Sequence, residues 1–279
     1  MTIDALDYFA SLVGQDDSIL LFEAALSLGQ DSDPDLDLAA VQAEVDTLAL
    51  TLRRRLPADA SQVQKLRMLN QFFYQELGFC GNANDYYHPS NSYLHRVIDT
   101  RRGIPISLAM VYIELAYQIG LQVRGISFPG HFLMRLTVRS GDIILDPFNG
   151  SSLSREELEA RLEPYLPADS NPLELSLASY LQPASAREIL VRMLRNLKMI
   201  FFEQQVWARL LGVQERLMIL LPKDSTERRD RGLAYAHLEC PQAALQDIEQ
   251  YLAERPDAVD ADLLRAKLTD LRRDADRLN

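Results

Sequence analysis

Apolar residues recur every three or four positions through most of the N-terminal part of the chain. This spacing predicts amphipathic helices, because positions three and four apart share one face of a helix. The expected helices cover residues 4–13, 18–28, 36–56 and 60–77, with Pro-containing breaks at residues 31–34 and 57–59. We expect these helices to cover one face of a sheet formed further along the chain.

The pattern changes between residues 103 and 145. Pro105 suits the first turn of a helix because its missing N–H would have no partner there, and apolar residues continue at helical spacing as far as Gly120. Short apolar runs follow at residues 123–128, 132–138 and 143–145, with turn residues between them. One helix followed by three strands predicts an α+β domain with an antiparallel sheet.

The C-terminal part contains a repeat. Leu221-Pro222 and Arg255-Pro256 lie 34 residues apart, which is the length of a tetratricopeptide unit. Small, aromatic, large and terminating residues fall between them where that unit requires them, namely Gly232, Tyr235, Ala244, Ile248 and Pro256. Small residues allow two antiparallel helices to approach closely, so we predict an all-α, tetratricopeptide-like segment here.

The segment at residues 186–221 has a similar length and helical pattern but is degenerate. Lys198 and Leu210 occupy positions where small residues are expected. Residues 257–278 predict a closing helix with one polar face. Prolines between residues 164 and 183 indicate a linker, so we predict two domains, at residues 1–183 and 184–279.

Three polar residues lie at the ends of the predicted central elements. Ser107 falls in the first turn of the helix, His131 opens one strand and Asp146 follows the next. We expect these three side chains to meet at one edge of the sheet. Asn91 lies upstream of the helix and is a further site candidate, with a turn-forming role as the alternative that we favour.

Four segments resemble the transglutaminase-like domain of bacterial SirB-type proteins, namely residues 91–94, 102–108, 128–133 and 146–148. In that family tetratricopeptide repeats follow the domain, and the resemblance covers most of the chain. It implies a papain-like arrangement of a helix and an antiparallel sheet. It also implies that Ser107, His131 and Asp146 occupy the positions of a Cys-His-Asp triad, with Asn91 where papain-like enzymes place an oxyanion-binding amide.

The nucleophile position of the triad therefore holds a hydroxyl where the enzymes have a thiol. A cysteine at a helix N-terminus beside a histidine ionises readily, whereas serine needs a general base and a prepared oxyanion hole during attack. We favour a non-catalytic protein that acts as a protein-binding or regulatory scaffold. The alternative is an acyl-transfer enzyme or hydrolase that uses Ser107, His131 and Asp146.

Charge and cysteine content limit the other functional classes. A formal net charge of −11 disfavours nucleic acid or an anionic membrane as the partner. Cys80, His88 and His95 lack the close spacing of metal ligands, so we expect no metal and no cofactor. The N-terminus has acidic residues where a signal peptide requires basic ones, which predicts a cytoplasmic protein. The expected partner is a protein or peptide bound by the helical repeats.

Overall fold

The computed structural model describes residues 4–166 and 177–278, and the chain within it divides into two compact units. The first unit spans Gln15–Met193, and the second combines the segment up to Gly14 with the segment from Leu194 onward. The described helices are α1 (Ala5–Leu12), α2 (Leu21–Ser27), α3 (Leu38–Arg55), α4 (Gln62–Asn70), α5 (Leu94–Thr100), α6 (Pro105–Gln118), α7 (Arg155–Leu162), α8 (Leu177–Tyr180), α9 (Ala186–Glu203), α10 (Trp207–Leu220), α11 (Ser225–His237), α12 (Pro241–Glu254) and α13 (Ala261–Leu278). The strands are β1 (Cys80–Gly81), β2 (Arg102–Gly103), β3 (Val123–Ile126), β4 (Leu133–Val138) and β5 (Gly141–Leu145).

The four helices predicted before residue 78 are confirmed as α1 to α4, with two local differences. The helix expected from residue 18 begins only at Leu21, after a short 3-10 turn at Asp16–Ser18. The helix expected to reach residue 77 widens into a π-helical segment at Gln71–Glu76. Phe72 and Phe73 are buried in this widened segment, so it still contributes to the core.

The predicted antiparallel sheet is present in the first unit. Its strand order is β3-β4-β5, and Ile126 pairs with Leu133 and Met134 with Leu145. One core cluster joins the sheet to α7 and consists of Ile126, Phe128, Leu133, Ile144, Leu158 and Leu162. Helix α6 also contacts β3 and β4, which gives the helix-on-sheet arrangement expected from the sequence.

A short parallel pair, β1 with β2, was not predicted. Cys80 pairs with Arg102 and Gly81 with Gly103. The Gly81 N–H also donates to the carbonyl oxygen of Phe148 at 3.1 Å. A Cβ atom at Gly81 would lie 1.9 Å from the Phe148 ring, so glycine is required for this close approach. The pair therefore brings the start of α6 and the end of β5 to the same strand.

The second unit is helical. Helices α11 and α12 approach closely at Gly232, where an added Cβ atom would lie 2.9 Å from Ile248 Cγ1. Helix α13 buries Leu264, Leu268 and Leu271 against α12. This agrees with the predicted closing helix, whose other face is polar. The N-terminal helix α1 belongs to this unit and contacts α10, so the expectation that it covers the sheet together with the other N-terminal helices is wrong for α1. Within residues 4–166 and 177–278, every helix is too short or too polar to cross a bilayer.

Candidate functional site

Ser107 lies in the first turn of α6, as predicted, and its side chain is 0% exposed. Its Oγ accepts from the Ile104 N–H at 3.2 Å. The hydroxyl donates to the carbonyl oxygen of Asn91 at 2.5 Å, and the Ile104 carbonyl oxygen lies at 3.0 Å as a second acceptor. A Cβ atom at Gly103 would lie only 2.8 Å from this Oγ. The hydroxyl is therefore enclosed and bonded to backbone groups.

Asn91 is also buried, and its amide organises the loop that precedes α5. The Nδ2 atom donates to the carbonyl oxygens of Asp85 at 2.6 Å and Tyr86 at 3.1 Å. The Oδ1 atom accepts from Asn82 Nδ2 at 3.0 Å. Because both N–H groups already have carbonyl partners, the amide in this conformation has no donor left for an oxyanion.

Asp146 follows β5, where the sequence placed it, and both carboxylate oxygens have partners. Oδ2 accepts from Arg161 Nη1 at 2.8 Å, and Oδ1 accepts from the Phe148 backbone N–H at 2.9 Å. The carboxylate is buried, and Arg161 on α7 is partly covered. This arrangement ties the end of β5 to α7 through a charge-assisted hydrogen bond.

His131, expected to open a strand, lies instead in the turn between β3 and β4, two residues before β4 begins, and it is partly buried. Burial lowers the pKa of its imidazole, the charges of Arg161 and Arg192 lower this pKa further, and the charge of Asp146 acts in the opposite direction. In the described part of the chain, the ring forms no hydrogen bond with Ser107 or Asp146. The imidazole and the carboxylate therefore influence each other electrostatically without the hydrogen bond that orients a triad histidine.

Arg192 on α9 holds the turn that carries His131. Its Nη1 donates to Ser127 Oγ at 2.8 Å and to the Phe128 carbonyl oxygen at 3.0 Å, and its Nη2 donates to the His131 carbonyl oxygen at 2.7 Å. Neither Arg192 nor Arg161 was predicted from the sequence as part of the site. Each lies on a helix that carries several charged residues. The spacing of those residues does not show which arginine donates hydrogen bonds to the site and which is solvated.

The four candidates thus fall into two contacting or interacting pairs. Ser107 is hydrogen-bonded to Asn91, while the charge of Asp146 acts on His131. Among the described residues no hydrogen bond links one pair to the other. For Ser107 to act as a nucleophile, its hydroxyl would have to donate to an imidazole nitrogen, whereas it now donates to a backbone carbonyl oxygen. This change requires a rearrangement at the start of α6.

A second candidate site is an apolar groove of about 610 Å³ in the helical unit. Met199 and Phe202 of α9 lie along it, and the Phe202 side chain is 61% exposed. Trp207 of α10 stacks on His237 of α11, with ring centroids 3.8 Å apart. An exposed aromatic and aliphatic surface in a groove is typical of a protein-binding site.

Charged side chains form one wall of this groove. Lys198 Nζ lies 2.5 Å from both Glu227 Oε2 and Asp230 Oδ2, and Arg195 Nε donates to Glu227 Oε1 at 2.9 Å. Glu227 is buried, and these two cations are its ion-pair partners. The lysine that makes the first repeat look degenerate therefore has a structural partner on α11.

The three side chains considered as metal ligands lie in different settings. Cys80 is in β1, the His88 Nδ1 accepts from the Ser90 N–H at 3.2 Å, and His95 lies on α5. In the part of the chain that the structure covers, no group of three His, Cys, Asp or Glu residues is arranged to hold a metal ion.

Comparisons with known proteins match both parts of the chain. A family model described as the transglutaminase-like superfamily matches residues 39–195, and a tetratricopeptide repeat model matches residues 197–269. A UPF0162 protein of Xylella fastidiosa (strain Temecula1) is 39% identical over 257 residues, which is 92% of this chain and 91% of that protein. Protein SirB1 of Salmonella typhimurium is 28% identical over 226 residues, 81% of this chain and 82% of that protein. The UPF0162 protein YchA of Escherichia coli K12 is 29% identical over 209 residues, 75% and 76% of the two chains.

Proposed function

This chain belongs to the SirB1/UPF0162 family of transglutaminase-like proteins with tetratricopeptide repeats, and we propose that it acts as a non-catalytic, protein-binding scaffold. The observation that carries the proposal is the state of Ser107. Its side chain is completely buried, and its hydroxyl bonds to the backbone of Asn91 and Ile104. A nucleophile needs access to substrate and a base within hydrogen-bond reach, and the geometry of Ser107 favours neither.

The positions equivalent to the rest of the triad support the same function. Asp146 neutralises Arg161 and caps the Phe148 N–H, which are roles in stability. The backbone carbonyl oxygen of His131 accepts a hydrogen bond from Arg192. Because these two residues contribute to the stability of the fold, the presence of a histidine and an aspartate at these positions does not require turnover.

The binding role is assigned to the groove formed by α9, α10 and α11. Tetratricopeptide repeats generally mediate protein–protein contacts, and here the groove exposes Met199 and Phe202 beside the stacked Trp207 and His237. Aromatic and methionine side chains supply large contact areas in interfaces. The partner is a protein or peptide that inserts an apolar side chain into this groove.

Catalysis is tested with a serine-reactive fluorophosphonate probe on the full chain, comparing wild type with Ser107→Ala. The expected result is no labelling of either protein, because the hydroxyl is buried and bonded to carbonyl groups. Labelling of the wild type that disappears in Ser107→Ala would overturn the non-catalytic assignment in favour of a Ser-His-Asp enzyme. Circular dichroism of Ser107→Ala shows whether the variant has kept its fold.

Binding is tested by selecting displayed random peptides on the full chain and measuring their affinity by fluorescence anisotropy. Phe202→Ala should weaken the selected peptides by at least about tenfold, as expected for an aromatic anchor in an interface. Leu263→Ala, which removes another exposed apolar side chain of the same unit, should leave the affinity unchanged. Peptides that bind wild type and Phe202→Ala equally would contradict the assignment of the groove.

A further inference from the structure

A second apolar groove, of about 500 Å³, lies in the first unit, and its lining comes from four elements. One wall is a face of α6, on which Met110, Ile113, Glu114 and Tyr117 follow one another at helical spacing. These residues extend about 10 Å along the helix axis, or two turns. The other walls come from residues 19–23, from Gln42 on α3 and from residues 121–124 at the start of β3.

The groove has a buried apolar floor and an exposed apolar rim. Phe22, Met110 and Val123 are buried in the floor. Leu20 and Tyr117 lie at the rim and are 59% and 66% exposed. Large apolar side chains exposed at both sides of a groove are typical of an interaction surface, because a partner that covers them removes their apolar area from water.

Two carboxylates line this groove, and a third is linked to one of them through an amide. Glu23 and Glu114 line it directly, and Gln118 Nε2 donates to both Glu114 Oε1 and Asp46 Oδ1 at 2.8 Å. Glu114 and Asp46 have amide partners but no lysine or arginine partner within residues 4–166 and 177–278. Arg124 is the basic side chain among the lining residues. The rim therefore carries an excess of negative charge.

The charge imbalance of the chain is concentrated in the N-terminal segment that supplies part of this groove. Residues 1–52 contain eleven aspartates and glutamates and no lysine, arginine or histidine. Because the formal net charge of the whole chain is −11, the remaining residues carry equal numbers of acidic and basic groups. Residues 19–23 and Gln42, which line the groove, belong to this acidic segment. Such a field attracts a cationic partner and repels an anionic one.

We propose that this groove binds a basic amphipathic helix of a partner protein, with its apolar face on Tyr117 and Leu20 and its lysines or arginines beside Glu23, Glu114 and Asp46. The two-turn face of α6 matches a helix packed along it, because helical side chains contact a groove at the same three- and four-residue spacing. This surface is independent of the groove between α9, α10 and α11. The chain would thus join two partners.

The test uses two fluorescently labelled helical peptides that share one pattern of leucines and carry either lysine or glutamate elsewhere. Fluorescence anisotropy with the full chain should show binding of the lysine peptide at least about tenfold tighter than that of the glutamate peptide. Its affinity should fall as salt is raised from about 0.01 M to about 0.15 M, because screening shortens the reach of the carboxylates. Equal affinity for the two peptides would overturn the proposal.

Variants separate the groove from the general acidic field. Tyr117→Ala and Glu114→Lys should each weaken the lysine peptide by about tenfold. Tyr87→Ala removes a tyrosine of similar exposure, 62%, that does not line the groove, and should bind as wild type does. A scrambled lysine peptide without an apolar face should bind more weakly than the amphipathic one. Equal binding of the scrambled peptide, or no effect of Tyr117→Ala, would overturn the proposal.

A second copy of the chain is the alternative occupant. Light scattering after gel filtration measures the oligomeric state of wild type and Tyr117→Ala. A wild-type dimer that Tyr117→Ala converts to a monomer would overturn the proposal, because the groove would then be covered by another copy. The same mass for both proteins, with retained binding of the lysine peptide to wild type, would support it.

Discussion

Ser107 stands at the start of a helix, and each hydrogen-bond partner of its hydroxyl is a backbone group. Its Oγ accepts from the Ile104 N–H, which is one of the backbone donors that the start of a helix leaves without a partner within the helix. It also fastens Asn91, and with it the loop before α5. A single side chain thus stabilises two segments, at the position that the family resemblance predicts to correspond to the reactive thiol of transglutaminase-like enzymes.

Arg161 and His131 provide a test of the electrostatics at the residue scale. The positive charge of Arg161 lowers the pKa of the His131 imidazole, so Arg161→Gln should raise that pKa. Titration of the imidazole by NMR measures the change. Arg155→Gln, on the same helix and far more exposed, is the control and should leave the pKa of His131 unaltered. A pKa of His131 that is the same in wild type and Arg161→Gln would contradict the described arrangement.

The positions of Ser107, His131 and Asp146 could be predicted from the sequence because each lies at the end of a clearly patterned element. Their partners could not. Arg161 comes from α7 and Arg192 from α9, and long-range contacts of this kind leave no trace in local periodicity. The burial of Ser107 could not be predicted from the sequence either, since it depends on how closely Gly103 and the Asn91 loop approach α6.

At the scale of elements, Lys198 on α9 shows how a repeat can depart from its consensus and remain packed. Its ammonium group binds two carboxylates of α11, those of Glu227 and Asp230. Glu227 is buried and relies on Lys198 and Arg195 for its counter-charges. The contact between α9 and α11 is therefore polar where the consensus repeat has close apolar packing.

Lys198→Met should destabilise the helical unit by about 2 kcal/mol, because it leaves the buried Glu227 with one cation in place of two. Urea unfolding followed by fluorescence of Trp207, the sole tryptophan, measures the change. Arg272→Met breaks an exposed ion pair with Glu249 and should cost less than about 0.5 kcal/mol. Equal losses for the two variants would refute this account. Adding Glu227→Gln to Lys198→Met should restore part of the loss.

Most elements could be predicted because their apolar residues repeat over several turns or strand positions. The pairing of β1 with β2 could not, since strands of two residues are too short to show a period. The boundary that we predict near residue 184 falls just before α9, the helix within which the contacts change from one unit to the other. The proline-rich residues 167–176, on which part of that prediction rests, lie outside the described residues.

At the scale of the whole molecule, the ends of the chain combine in one unit. Helix α1 contacts α10, and the Arg216 guanidinium lies 5.6 Å from the centre of the Phe9 ring. An amphipathic N-terminal helix indicates only that some apolar partner exists. Which element supplies that partner depends on contacts across most of the sequence, so the pattern predicted α1 correctly but its position on the sheet wrongly.

Acid should reduce the stability of the chain through its histidines. Burial lowers the pKa of His95, Arg96 lowers it further, and Asp33 and Asp99 oppose the shift. A histidine whose pKa is lower in the folded state favours unfolding as the pH falls below its unfolded pKa of about 6.5. Carboxylates titrate at lower pH and remain ionised at first. The free energy of unfolding in urea should therefore fall from pH 7.5 to pH 5.5, and His95→Gln should reduce that fall. An unchanged slope in His95→Gln would exclude this cause.

The hydrogen bonds from Arg192 to the turn containing His131 determine where the chain can be truncated without loss of the fold. A fragment ending at residue 183 would lack the guanidinium that contacts Ser127, Phe128 and His131. Three oxygen atoms would lose the hydrogen bonds that Arg192 donates, and the loop between β3 and β4 would lose its anchor on α9. Excision of the N-terminal region as an independent folding module must therefore retain α9, even though the boundary predicted near residue 184 excludes that helix and the tetratricopeptide model begins within it, at residue 197.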